Sequence, residues 1–499
     1  MTYLLLIFFP VVMAASCFVL RKQTRLVILG AIATMLVQIA LVASLPLDQP
    51  VLMLGLNLAL DPLSRLFLMT FLLAGALMFL STWNVPHGEQ FVPITLMILG
   101  LVGTTLLLLQ KQPMKPPLFQ EHYTAALLLG STGLLAVLAI VDLPTGSSAL
   151  VQRTTLATAL KYLVLMVISG VIVYMAFVLV SIYQPGVTPG RPSPAHLILA
   201  LIVVGFGLRL AIVPFHSWLP DLAEDAAPMT TVLIAAIVNA VTLLFLIASI
   251  QFFFYPVEVI GGAENARSTL LLLAICVVTA LLGGFLALAQ VSMRRTIGYL
   301  LVYNAGMILF GLATLDSVGV AGALFEILNQ MIIVLLLFLS IGLLERPDGR
   351  PLNVVRRDLL WRWPIAGTGL LCGGLALLGL PPFNGFVGKL LLYEAAARRG
   401  GPYLALLLLA TALALLALLR LARERLLGPA EDVADVSPLL LGGTDLDRPA
   451  DRRLEPEPRG MAVLTVLLLA ICLGIGLYPQ PLLATINEAI RGLTFIQPL

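Results

Sequence analysis

LILALIVVGFGLRLAIVPFHSWLPDLAEDAAP, residues 197–228, places a guanidinium and an imidazole inside a run otherwise suited to lipid. Arg, Lys or Asp at a helix centre in hydrocarbon costs roughly 2.5–3.5 kcal/mol on insertion scales, so Arg209 is expected to face a wet or paired interior. Pro214 interrupts the same run. A proline in a spanning helix frees a backbone carbonyl, which is tolerated only where the helix borders protein or water. The stretch therefore reads as a broken transmembrane helix whose charge has a use.

Working outward, the 499 residues are 60% hydrophobic and 11% charged, with a mean hydropathy of +1.05. Such a chain is dissolved in lipid rather than folded around one aqueous core. Its net charge of +3 is scattered over loops, which indicates no nucleic-acid role. Cys17, Cys276, Cys372 and Cys472 lie in apolar runs without C-x-x-C pairing or a nearby His, so no iron–sulfur cluster, haem, metal or disulfide framework is expected in this chain.

Apolar windows long enough to cross a core of about 30 Å fall at 3–20, 26–45, 65–83, 92–109, 123–141, 160–182, 196–215, 229–254, 269–290, 297–315, 319–344, 363–397, 402–422 and 461–478. The expected fold is an all-α integral membrane protein of about fourteen transmembrane helices. The first run lacks a preceding positive residue and is followed by Arg21, Lys22 and Arg25, so it reads as a retained helix rather than a cleaved signal. Under this count Arg294, Arg295, Arg346, Arg350, Arg356, Arg357, Arg362, Arg420, Arg423 and Arg425 share a face with the first basic cluster. The opposite face holds Lys111, Lys115, Arg191, Arg267, Arg398 and Arg399, so the positive-inside rule points both termini outward. A bacterial plasma membrane is the expected compartment, with a thylakoid as the alternative.

An echo sits further along: VPFHSWLP at 213–220 and LPPFNGFVGK at 380–389 both carry Pro-Phe-His/Asn within apolar sequence. They fall in helices seven and twelve, five helices apart. That spacing implies two inverted five-helix repeats, with Pro214 and His216 in one break and Pro381 and Pro382 in the other; paired broken helices are a pointer to a transport site. The chain then divides into helices 1–3 (1–90), a first repeat (91–254), a second (269–422), a polar cytoplasmic loop (423–460) and a last helix with its tail (461–499). Residues 481–491 are expected to form a short surface helix.

A proton path needs titratable groups at mid-depth with polar links between them. Here the candidates are Asp142, Arg209, Glu326 and Lys389, with Asn239 and Gln330 as links and Lys161, His216, Glu394, Tyr299, Tyr303, Asn304 and Asn329 nearby. Lys389 has an amine that titrates when desolvated, or it is a lysine snorkelling to an interface. Arg209 keeps its proton, so it either orders water or an anion, or pairs with an acid such as Glu326 or Asp142. Glu326 and Gln330, at i,i+4, share one polar helix face. His216 reads first as part of a scaffold hinge.

GFGLRLAIVPFHSWLPDLAEDAAP, LDPLSRLF (60–67), SMRRTIGYLLVYNAG (292–306), GALFEILNQMIIVLLLFLSIGLL (322–344) and GLALLGLPPFNGFVGKLLLYEAA (374–396) together resemble the antiporter-like, proton-translocating membrane subunits of respiratory complex I, membrane-bound hydrogenases and Mrp-type antiporters. The resemblance covers essentially the whole chain. It implies fourteen helices, inverted repeats, breaks in helices seven and twelve, and a midplane row of charged residues. Lys389 matches the helix-twelve base. At the helix-seven lysine stands Arg209, at the helix-eight base Asn239, and at the helix-eleven lysine Val334; Asp142 is the candidate for the helix-five acid. Arg294 and Arg295 match a basic anchoring loop. The resemblance implies a non-redox membrane subunit of an NADH- or ferredoxin-quinone oxidoreductase, moving protons or cations along an altered path. Its implied partners are other antiporter-like subunits, a quinone-proximal membrane subunit and an arm holding the quinone-linked iron–sulfur clusters. The alternatives are a structural spacer with a degenerate path, and an Mrp-type antiporter or a partner in inorganic-carbon uptake.

Overall fold

The structure is a computed structural model that describes residues 2–53, 55–109, 119–144, 149–182, 195–257, 262–345, 359–427, 457–491 and 493. Most of the 428–460 loop, and Lys111, Lys115, Arg191, Arg346, Arg350, Arg356, Arg357 and the Arg267 side chain, lie outside the described residues.

Helices dominate because every backbone amide in a bilayer must be paired within its own segment. Twelve of those described are long and apolar enough to cross a membrane, and two shorter apolar helices, Leu197–Arg209 and Pro364–Leu378, accompany them. In order they are α1 (Thr2–Val19), α2 (Thr24–Ser44), α3 (Pro62–Ser81), α4 (Phe91–Leu108), α5 (Phe119–Val141), α6 (Ala149–Ile182), α7 (Ala195–Arg209) and α8 (Trp218–Asp225). Next come α9 (Pro228–Val232), continued by a π-helical segment (Leu233–Val238) into α10 (Asn239–Val257), then α11 (Gly262–Ala289), α12 (Met293–Ala313) and α13 (Ser317–Glu345). The chain goes on through α14 (Leu359–Arg362), α15 (Pro364–Leu378), α16 (Gly385–Arg399), α17 (Gly401–Leu421), α18 (Arg459–Leu477) and α19 (Gln480–Ile490).

Local chemistry sets several boundaries. Asp61 caps α3 by accepting the Ser64 amide at 2.9 Å, with Pro62 in the first turn. Gly379 closes α15 at φ 77°, a left-handed conformation that suits glycine.

Burial ranks the helices. Ninety-four per cent of the α13 span and 89% of the α12 span are buried, against 28% for α1 and α18 and 33% for α6. Asn304 of α12 and Glu326, Asn329 and Gln330 of α13 are therefore interior residues, whereas the outer helices leave leucines exposed on their outer faces.

Three details depart from the sequence reading. A two-stranded hairpin, Val51–Met53 paired antiparallel with Leu56–Leu58, interrupts the all-α pattern, turning through Gly55 at φ 78°. The sixth helix starts at Ala149 rather than near 160, and Lys161 within it pairs with Asp221 at 2.7 Å. The tail helix α19 is more than a surface element: Ile486, Ala489 and Ile490 are buried, and it packs on α13 and α3.

Candidate functional site

The two proline breaks fold alike. After α7, Ala211 takes φ 56°, the Ile212 amide bonds the Gly207 carbonyl (3.0 Å), Val213–Pro214 is cis, and Phe215 bonds back to Ile212 (2.6 Å). In the second break, Gly379 takes φ 77°, Leu380 bonds Leu375 (3.1 Å), Pro381–Pro382 is cis, and Phe383 bonds back to Leu380 (3.1 Å). Every partner lies 168 positions beyond its counterpart, and the echo heard in the sequence is thus repeated in the backbone. By the same offset Asp221 corresponds to Lys389.

The second break delivers Lys389 to the interior. α16 restarts at Gly385 and, one turn later, Lys389 is 1% exposed. Gly388 makes this possible: a side chain there would meet the carboxyl group of Glu326. Lys389 Nζ lies 3.5 Å from Glu326 Oε2, with Glu326 also 1% exposed, and donates to Asn304 Oδ1. The ammonium sits 5.0 Å from the centre of the Tyr303 ring, a cation–π distance. Glu326 Oε1 has no hydrogen-bond partner among the described residues, so one carboxylate oxygen stays free to accept.

From this pair, polar groups run inward without a gap. Asn304 Nδ2 donates to Gln330 Oε1 (3.1 Å), and Gln330 Nε2 donates to the Ala235 carbonyl (3.0 Å). Ala235 lies in the π-helical segment, where widened winding leaves a carbonyl free for a side chain; such segments recur at functional sites. Asn239, 7% exposed, directly follows that segment. In the other direction, Thr411 Oγ1 donates to Leu407 O and so accepts from Tyr303 Oη (2.8 Å) and Tyr393 Oη (2.6 Å). Asn329 and Asn384 brace the break: Asn329 Nδ2 donates to the Asn384 carbonyl (3.1 Å) and Asn384 Nδ2 to Asn329 Oδ1 (3.0 Å).

The side chains around the first break differ from those around the second. Trp218 Nε1 ties the gap by donating to Leu208 O (3.0 Å), with Tyr162 packed edge-on at 5.3 Å. Arg209 is 4% exposed and donates to the Leu129 carbonyl at 2.5 Å, while its Nε finds no acceptor. Neither acid proposed as its partner is there. Glu326 is engaged with Lys389, and Asp142 accepts the Gln90 amide (2.9 Å) beside the start of α4. Gly133 of α5 faces the guanidinium instead. Asp221, 168 positions before Lys389, pairs with Lys161 (2.7 Å) and Arg295 (3.3 Å), and Arg295 also holds Glu224 (3.2 Å). Arg294 clasps Glu345 and donates to the carbonyls of Glu224 (3.2 Å) and Ala226 (2.7 Å), fastening the end of α8. His216 lies beside Tyr299, ring centres 6.1 Å apart, and its Nδ1 makes no hydrogen bond.

Lys389, Glu326 and Gln330 are thus brought together, with Asn239 at the edge, while Arg209 lies in a separate pocket and Asp142 joins neither. Val334 is fully buried among apolar neighbours, and the polar function on α13 sits one turn earlier, at Gln330. Tyr393, Thr411 and the Ala235 carbonyl escaped the sequence reading. Tyr393 had a signal, being one turn beyond Lys389 on the same face; the π segment had none.

Burial pushes the Asp142 carboxyl up to about 6, against the opposing Gln90 amide bond and with help from nearby Glu89. The folded chain therefore holds this proton more tightly than the unfolded chain, so its contribution to stability declines as pH rises from about 4 through about 6. Asp142→Asn is expected to remove that slope. Melting midpoints of the purified protein across this range check it.

A profile of the family described as NADH:quinone oxidoreductase/Mrp antiporter, transmembrane, matches residues 150–414, just over half of the chain. The chain belongs to this family. It is accordingly a multi-pass integral membrane protein. Among family members, NADH-quinone oxidoreductase subunit N 2 of Opitutus terrae is 26% identical over 76% of this chain and 79% of its own length. Subunit N of Heliobacterium modesticaldum is 32% identical over 42% of this chain and 43% of that protein. In fold, the chain is similar to a chain of the Mrp complex from Dietzia sp. DQ12-45-1b, with TM-score 0.78, 20% identity, and 98% and 96% of the two chains covered. It is also similar to a chain of respiratory complex I from Thermus thermophilus, with TM-score 0.70, 23% identity, and 97% and 99% covered.

Proposed function

We propose that this chain is an ion-translocating membrane subunit of a hetero-oligomeric, redox-driven assembly related to complex I, and that the ion is a proton. The observation that carries the reading is the buried Lys389–Glu326 pair joined through Asn304 and Gln330 to the Ala235 carbonyl. A lysine and a glutamate exchanging a proton provide two titrating stations in a water-poor interior, and the amides of Asn304 and Gln330 carry hydrogen bonds onward from Lys389 to the Ala235 carbonyl. Nothing in such a path requires a flavin, nicotinamide or cluster in this chain; quinone and iron–sulfur chemistry belongs to companion subunits. Other antiporter-like and quinone-proximal subunits in a bacterial plasma membrane, with both termini outward and two inverted five-helix repeats, complete the proposal.

The test is to cut the path at its amide. In the purified complex reconstituted into liposomes, Gln330→Leu is expected to lower proton uptake per electron transferred by about tenfold, equivalent to roughly 1.4 kcal/mol of added barrier. Unchanged uptake would remove Gln330 from the path.

A second reading, a structural spacer, is favoured by one observation: the Arg209 half presents a glycine where its partner acid is expected, and arginine does not release a proton. In that case uptake per electron is the same with or without Lys389.

A further inference from the structure

We propose that a carboxylate from a neighbouring membrane-embedded chain enters the cleft between α5 and α6 and pairs with Arg209. The cleft is narrow and is lined by Ala126, Leu129, Gly170, Val173, Phe206 and Phe245, with Arg209 completing the lining. Among the described residues no carboxylate reaches the guanidinium: Leu129 O takes one nitrogen and Nε is left without a partner. A guanidinium 4% exposed is costly to leave uncompensated, so the site is poised for an anion.

Geometry decides where that anion comes from. Leu129 lies near the middle of α5, which spans Phe119–Val141, so the Arg209 guanidinium bonded to it is about 15 Å from one end of that helix and about 18 Å from the other, near half the hydrocarbon depth. The cleft opens sideways: nothing lies within 4 Å of where a Gly170 side chain would begin, and the adjacent Val167, Val171 and Tyr174 are exposed, as are Leu127 and Leu134 on α5. Headgroups lie outside the hydrocarbon core, and a free hydrated ion does not cross acyl chains to a lateral mouth. An Asp or Glu on a helix packed against this face does reach it, and small residues such as Gly130 and Gly170 let that helix come close.

The test is made in the intact complex in its native membrane, with a photo-activated benzophenone residue at Val171 and sequencing of the captured peptide. The expected capture is a segment of a different chain carrying Asp or Glu within an apolar run. Its yield should fall at least about tenfold in Arg209→Gln, the change that follows from about 1.4 kcal/mol of lost pairing, and persist in Arg209→Lys. Gly133→Glu, which offers a carboxylate from α5 itself, should lower the yield likewise and serves if Arg209→Gln does not accumulate. Capture of lipid alone, of a second copy of this chain, or of a segment without an acid overturns the proposal, as does a yield indifferent to these substitutions. Because proton flux is not read, this result is independent of the ion-path reading.

Discussion

Replacing Lys389 with Met should all but abolish proton uptake while electron transfer continues, and should weaken the fold at the same time. Glu326 and Lys389 are each 1% exposed and face one another at 3.5 Å. Removing one member of a buried pair leaves an uncompensated charge and typically costs about 3–5 kcal/mol. The same loss confronts a proton that must pass Glu326 with no amine to receive it. An added barrier of roughly 3 kcal/mol corresponds to about a hundredfold slower passage. The two consequences separate in the double variant Lys389→Met, Glu326→Gln: no charge is left buried, so thermal stability returns toward that of the natural chain, but neither titrating station remains and uptake stays lost. Uptake per electron in liposomes and the melting midpoint in detergent are the measurements. If Lys389→Met pumps normally, the chain is a brace and the path is not in this pair.

The second large effect belongs to a residue with no functional group. Gly379 ends α15 at φ 77°, and a β-carbon placed there runs into the Lys389 methylenes and approaches the Gly385 carbonyl at 3.0 Å. Gly379→Ala combines a strained left-handed backbone, about 1–3 kcal/mol, with overpacking of similar size. A total of roughly 2–6 kcal/mol is expected, seen as a lowered melting midpoint by tryptophan fluorescence. Because the clash falls on Lys389 itself, proton uptake should drop with it. Gly401→Ala is the matched control, since nothing lies within 4 Å of that site and the backbone there is not left-handed; it should change neither quantity.

Architecture was legible in the sequence because hydropathy and proline have direct structural meanings in lipid. The apolar windows become helices, and Pro214 and the Pro381–Pro382 pair become breaks, since an apolar environment leaves the backbone few alternatives. The i,i+4 spacing of Glu326 and Gln330 was readable for the same reason, and both face the interior. Pairing was not readable. Which acid meets Lys389, and that none among the described residues meets Arg209, depends on how helices distant in sequence rotate against one another, and hydropathy carries no azimuth across chains of contacts. Asp142 shows the point: an acid at a helix end scans as a membrane charge, yet it sits at the α4–α5 junction accepting a backbone amide.

The two ends of the central ion pair are mounted on unequal supports. Glu326 rides on α13, the most deeply buried span, whose far end is clamped through Glu345 to Arg294. Lys389 rides on a fifteen-residue half-helix entered through a left-handed glycine. An exchange of charge between them is therefore expected to displace the short α16, held to α13 through Asn384 and Asn329, before it displaces the clamped α13.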